Sequence, residues 1–107
     1  MNVGLHIALF FGGAFLLNAL PHLVAGVMGE PFQSPFATPR GEGRSSSTVN
    51  LLWGFANLVV AWLLLVHVWR LDIADPGQVL ATGLGALAIG LFAARHFGRF
   101  NGGNTPR

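Results

Sequence analysis

Asn18, His22, Asn50 and Asn57 combine polar chemistry with an apolar neighbourhood. Asn18 and His22 lie in an uncharged run from Val3 to Gly29, and Asn50 and Asn57 in a second from Val49 to Trp69. An amide brings two donor hydrogens and an acceptor oxygen, and an imidazole brings a donor, an acceptor and a proton exchangeable near neutrality. In hydrocarbon such groups must bond each other, a water or a ligand. Two kinds of chemistry follow: hydrogen bonds that hold helices together, or a buried polar site that binds or passes on a small group. A cysteine nucleophile and a buried carboxylate pair are excluded, because the chain has no cysteine and none of its four acids falls inside an apolar run, and an enzyme is the less expected class. Glu30, at the edge of the first run, is the nearest acid. Neither a catalytic set, a metal site nor a cofactor is expected.

Three elements must position these residues. The uncharged runs predict transmembrane helices over about 3–29, 49–69 and 77–97, each near the roughly 20 residues that cross a hydrocarbon core of about 30 Å. Helix is the expected form because backbone groups facing lipid must be satisfied within their own segment. The first run is too long for a signal-peptide core and lacks a basic leading region. The link Leu71-Asp-Ile-Ala-Asp-Pro-Gly-Gln78 carries a helix start, with Asp75 as cap and Pro76 in the first turn, and predicts a tight antiparallel hairpin of the second and third spans.

Helical phase gathers the polar residues. Ala14, Asn18, His22 and Gly26 recur every fourth residue, and Asn50, Gly54, Asn57 and Ala61 recur at four- and three-residue steps, so each helix carries one small-and-polar stripe. Counted at about 1.5 Å per residue, His22, Asn18 and Asn57 lie roughly 10, 15 and 12 Å from the membrane edge. They are expected to form one hydrogen-bonded layer with Asn50 nearer the surface. Pro21 should free the Leu17 carbonyl beside it. The third span has a different stripe, Thr82, Ala86, Gly90 and Ala94, suited to close packing.

The first and second spans are joined by a Pro/Gly-rich loop with a four-residue quasi-repeat, Pro31-Phe-Gln-Ser, Pro35-Phe-Ala-Thr and Pro39-Arg-Gly-Glu. Each proline denies helix to its predecessor, which makes an extended or turn-rich strap. Phe32, Pro35 and Phe36 either anchor this strap at the interface or plug it over the polar layer. The following segment, Gly41-Glu-Gly-Arg-Ser-Ser-Ser-Thr48, leads into a helix start with Ser47 or Thr48 as cap. Arg40 and Arg44 there suit a lipid phosphate or another anion. Without a Gly-Lys-Ser/Thr ending it is not a P-loop.

His6 and His67 should share one membrane layer, and His22 and His96 the other. Stacked bis-histidine haem sites are disfavoured because His6 and His22, sixteen residues apart, point to opposite faces of one helix. Orientation follows from the arginines. Arg40, Arg44, Arg95, Arg99 and Arg107 fall on one side of a three-span chain, against Arg70 on the other. This bias puts the loop and the C-terminus in the cytoplasm and the N-terminus outside.

The runs Asn18-Ala-Leu-Pro-His22, Gly29-Glu-Pro-Phe-Gln-Ser-Pro-Phe-Ala-Thr-Pro-Arg-Gly-Glu-Gly43 and Asn50-Leu-Leu-Trp-Gly-Phe-Ala-Asn57 resemble a group of small uncharacterised bacterial inner-membrane proteins. The resemblance covers roughly the first 60 residues and implies a bacterial inner-membrane location without an activity. Composition agrees with lipid as the solvent: 52% of the 107 residues are hydrophobic and 9% are charged. A net charge of +2, carried by arginine without lysine, does not indicate a nucleic-acid partner. The sequence therefore predicts an all-α membrane protein, one transmembrane domain over 1–107, whose partners are the bilayer and a second copy or a larger membrane complex. The alternative is a small transporter or channel subunit whose path is lined by Asn18, His22 and Asn57.

Overall fold

A computed structural model describes residues 2–106. Its three long helices are α1 (Val3–Val27), α2 (Ser47–Trp62, continued by a π-helical turn Leu63–His67) and α3 (Pro76–Asn101). Each is long and apolar enough to cross a membrane. α1 starts where the Asn2 side chain accepts a hydrogen bond from the Leu5 amide at 3.0 Å, and it runs unbroken through Pro21. It stops at Gly29, whose φ of 71° suits a residue without Cβ.

The helix starts fit their residues closely. The second is capped by Ser46, one residue before the expected Ser47 or Thr48, through the Val49 amide at 3.2 Å. α3 is capped by Asp75 with Pro76 in its first turn, and it continues to Asn101, past the expected 97. In the π turn the Val68 amide reaches back to the Leu63 carbonyl at 2.8 Å, five residues rather than four. That winding stacks Trp62 on His67, with ring centroids 5.3 Å apart.

α1 is the centre of the bundle. Both α2 and α3 pack along it, and they scarcely touch one another. The expected hairpin of the second and third spans is thus not made, despite their short link. The reason lies in α1, which offers a close-packing flank to each neighbour. On one flank a Cβ added at Gly13 would overlap the Thr82 backbone, and one at Gly85 would overlap the Phe10 carbonyl, so α1 and α3 cross backbone to backbone. On the other flank, Gly26 lies against Leu51 and Gly54 against the backbone of Leu23. Small residues of this kind are how helices associate without a hydrophobic driving force between them.

Burial is inverted relative to a water-soluble domain. Large apolar side chains such as Phe11, Leu52 and Leu91 face outward, and four of the five largest fully buried side chains are polar: His22, Asn50, Asn57 and Ser34, beside Leu9. The strap between α1 and α2 folds into a two-residue antiparallel pair, β1 (Phe32–Gln33) with β2 (Arg44–Ser45), in the register Phe32 to Ser45 and Gln33 to Arg44. The turn between them closes on Ser34, whose amide donates to the Gly43 carbonyl and whose carbonyl accepts from Gly41 at 2.9 Å.

Candidate functional site

Asn50 organises the buried polar residues. Its side-chain nitrogen is 3.1 Å from the Phe32 carbonyl, 3.1 Å from the Ser45 carbonyl and 3.0 Å from the Ser46 carbonyl. Carbonyls only accept, so this end of the amide must be the nitrogen, one of whose two hydrogens is shared. The other end is therefore the oxygen, and it lies 2.7 Å from Nδ1 of His22. An amide oxygen cannot donate, so Nδ1 carries the hydrogen and donates it. In the neutral ring the lone pair then sits on Nε2.

A second relay runs beside the first. Asn57 donates from Nδ2 to the Trp53 carbonyl at 2.8 Å, which turns its oxygen towards α1. Asn18 donates to that oxygen from Nδ2 at 3.0 Å, and its own oxygen is left as the free end. Among the described residues no buried side-chain polar atom lacks a partner. His22 Nε2 and Asn18 Oδ1 make no hydrogen bond there, so neither atom is sealed off, and both residues line one groove.

That groove, of about 370 Å³, exists because α2 and α3 diverge across α1. Trp53 of α2 and Phe92 and Phe97 of α3 form its walls, and Ser34, Pro35 and Arg40 of the strap form its rim. The strap is fastened to all three helices. Phe32 packs edge-on against His22 at 5.5 Å and tilted against Phe97 at 4.8 Å, while Phe36 meets Trp53 at 5.1 Å. His96 donates from Nε2 to the Gly41 carbonyl at 2.6 Å, and Arg99 donates to its Nδ1 at 3.2 Å.

The sequence-derived residues are thus distributed as follows. Asn18 and Asn57 are bonded as one pair, but His22 belongs to Asn50 and not to their layer. Neither His22 nor Asn57 turns to the Leu17 carbonyl that Pro21 was expected to free; their partners are Asn50 and Trp53. Phe32 is half-buried over His22, whereas Phe36 stays 62% exposed on the flank of Trp53. Pro35 and Arg40 reach the groove, and exposed Arg44 is held in β2 opposite Gln33. His96 has both ring nitrogens engaged, so it is not poised to share a haem iron with His22. Among the described residues no three His, Asp or Glu side chains gather as metal ligands.

Sequence reasoning missed Gln33 and Ser34, which are 3% and 1% exposed. It also missed Phe97 as a wall of the site. A serine before a proline signals a turn, and here Ser34 Oγ accepts from the Phe36 amide at 3.1 Å and pairs with the Ser45 hydroxyl. Nothing in the sequence marks Phe97 apart from the other phenylalanines. The chain matches no known protein family, curated protein or solved structure.

Proposed function

We propose that this is a small integral membrane protein that binds the polar end of a membrane-dissolved molecule between its helices, beneath the strap. The observation that carries the reading is the direction of the two relays. Both begin on backbone carbonyls and both end in an acceptor without a partner, His22 Nε2 and Asn18 Oδ1, on residues that line the groove. A pair needed only to hold helices together has no reason to leave its last acceptor facing an open space. Such acceptors call for a ligand that brings hydrogen.

The remaining features fit this reading. The arginine bias places the strap and the C-terminus in the cytoplasm and the N-terminus outside, so the groove lies in the inner half of a bacterial inner membrane. The outer surfaces of α2 and α3 are apolar along most of their length, with Arg95, Arg99 and Asn101 exposed towards the end of α3, and α3 buries little beyond Gly85. That leaves broad faces for a second copy or for a larger complex in which this chain is an accessory subunit.

Gentle detergent extraction followed by native mass spectrometry tests the proposal. The wild-type protein should carry a bound small molecule that Asn18→Ala loses and the lipid-facing control Val24→Ala retains. The same bound mass on Asn18→Ala as on wild type, or none on any of the three, would count against it.

A further inference from the structure

A second, open hollow of about 220 Å³ lies between α1 and α3 and is lined by Phe11, Ala14, Phe15, Asn18 and Ile89. Asn18 lines this hollow and the groove alike, the one residue common to both. Beyond Asn18 the slot has apolar walls and follows α1 away from the strap. The groove thus supplies free acceptors among aromatic walls, and the slot on the other side of Asn18 supplies an apolar surface.

Resting on the reading above, we infer that the ligand is a hydroxylated aromatic ring with an apolar tail, of the alkylphenol or hydroquinone class. The ring lies between Trp53 and Phe97, its hydroxyl donates to His22 Nε2, and the tail passes Asn18 into the slot beside Phe15 and Ile89. Three features select this chemistry. The acceptors at the groove require a donor in the ligand, which a phenol supplies and an ester or ether does not. Aromatic walls favour a flat ring through edge and offset contacts. A polar head joined to an apolar tail matches the order of the two cavities along α1, and their volumes suit a small amphiphile. Arg40 lies at the rim and is exposed, so an anionic head is the competing chemistry that the test must separate.

Protein in nanodiscs, labelled with ¹⁵N at histidine, is titrated with 4-decylphenol, 4-decylanisole, decyl phosphate and 4-ethylphenol while the His22 ring signals are followed. 4-Decylphenol should shift the Nε2 signal at the lowest concentration. 4-Decylanisole keeps ring and tail but has no hydrogen to donate, and should bind at least about tenfold more weakly. Ala14→Phe fills the slot one turn from Asn18 and replaces no relay residue. It should reduce the affinity for 4-decylphenol to that for 4-ethylphenol and leave the latter unchanged.

Equal binding of phenol and anisole would overturn the inference, as would an undiminished advantage of the long tail in Ala14→Phe. Tighter binding of decyl phosphate would replace the ring by an anionic head and leave the reading of an amphiphile site standing. Failure of every probe to move the His22 signals would remove that reading too.

Discussion

Replacing Asn50 by alanine should uncouple the strap from the bundle. The substitution removes four hydrogen bonds at once, those to the Phe32, Ser45 and Ser46 carbonyls and the one from His22. They are not equal losses. The Ser46 carbonyl keeps the Asn50 backbone amide at 3.0 Å, so it is not orphaned. The His22 Nδ1 hydrogen loses its partner among side chains that are almost fully buried, since His22 is 2% and Asn50 0% exposed. An orphaned buried donor costs about 1–3 kcal/mol, and an interhelical bond in a membrane contributes about 0.6–2 kcal/mol. These figures overlap, and allowing for the two strap carbonyls the total is about 2–4 kcal/mol, roughly a 30- to 700-fold shift in the folding equilibrium. Asn50→Asp keeps an acceptor for His22 but turns oxygen towards three carbonyls, so it should be at least as damaging as alanine. Reversible unfolding in mixed micelles measures the stability, and trypsin cleavage after Arg40 and Arg44 reports release of the strap. Leu52, 66% exposed on the outer face, supplies the control. If Asn50→Ala unfolds with the midpoint of Leu52→Ala and its strap is cut no faster, the latch does not exist. If Asn50→Asp is better tolerated than Asn50→Ala, the assigned direction of the relay is wrong.

Other substitutions separate rigid from yielding contacts. Gly85→Ala places a methyl into the Phe10 backbone and should lower detergent stability clearly. Gly90→Ala meets the movable end of Leu17 and should cost less, and Gly83→Ala meets nothing and should cost nothing. Asn57→Ala removes one interhelical bond and one bond within α2, for a loss of about 1 kcal/mol in the same unfolding assay, smaller than that of Asn50→Ala. Reporter fusions at residue 45 and at the C-terminus should both read cytoplasmic; opposite readings would contradict the three-span topology. Ser34→Ala should speed tryptic cutting of the strap while leaving helix stability nearly unchanged, because Ser34 Oγ bonds only strap groups.

The helices were the most legible part of the molecule, because a run free of charge over about 20 residues has few other uses. The pairing of Asn18 with Asn57 was within reach of phase and depth, and in the structure their amides meet at 3.0 Å. His22 was misassigned for a physical reason. Depth counting treats each helix as a separate rod, whereas Asn50 is turned by the Ser45 and Ser46 carbonyls just before it and by the Phe32 carbonyl that the strap brings back from 18 residues away, and no side-chain pattern marks a carbonyl. The packing of α2 and α3 on α1 was hidden for a related reason. A short link suggests neighbours, but Gly13 and Gly26 give α1 a bare flank on each side, and backbone approach outweighed proximity in sequence.

Because α2 and α3 both lean on α1 and barely on each other, the molecule resembles a spine with two leaves. Substitutions on the two leaves should add in their effects on stability, within a few tenths of a kcal/mol, wherever they share no neighbour. Energetic communication between the leaves then has three routes: through α1, along the short link from the π turn to α3, or across the strap, where Gly41 holds His96 and Phe36 holds Trp53. A double-mutant cycle between the Trp53 side and the Phe92 side becomes a gauge of whether the strap is closed. A guest arriving sideways from the bilayer between the leaves would meet no α2–α3 interface, and the contacts in its way near the groove are those of the strap.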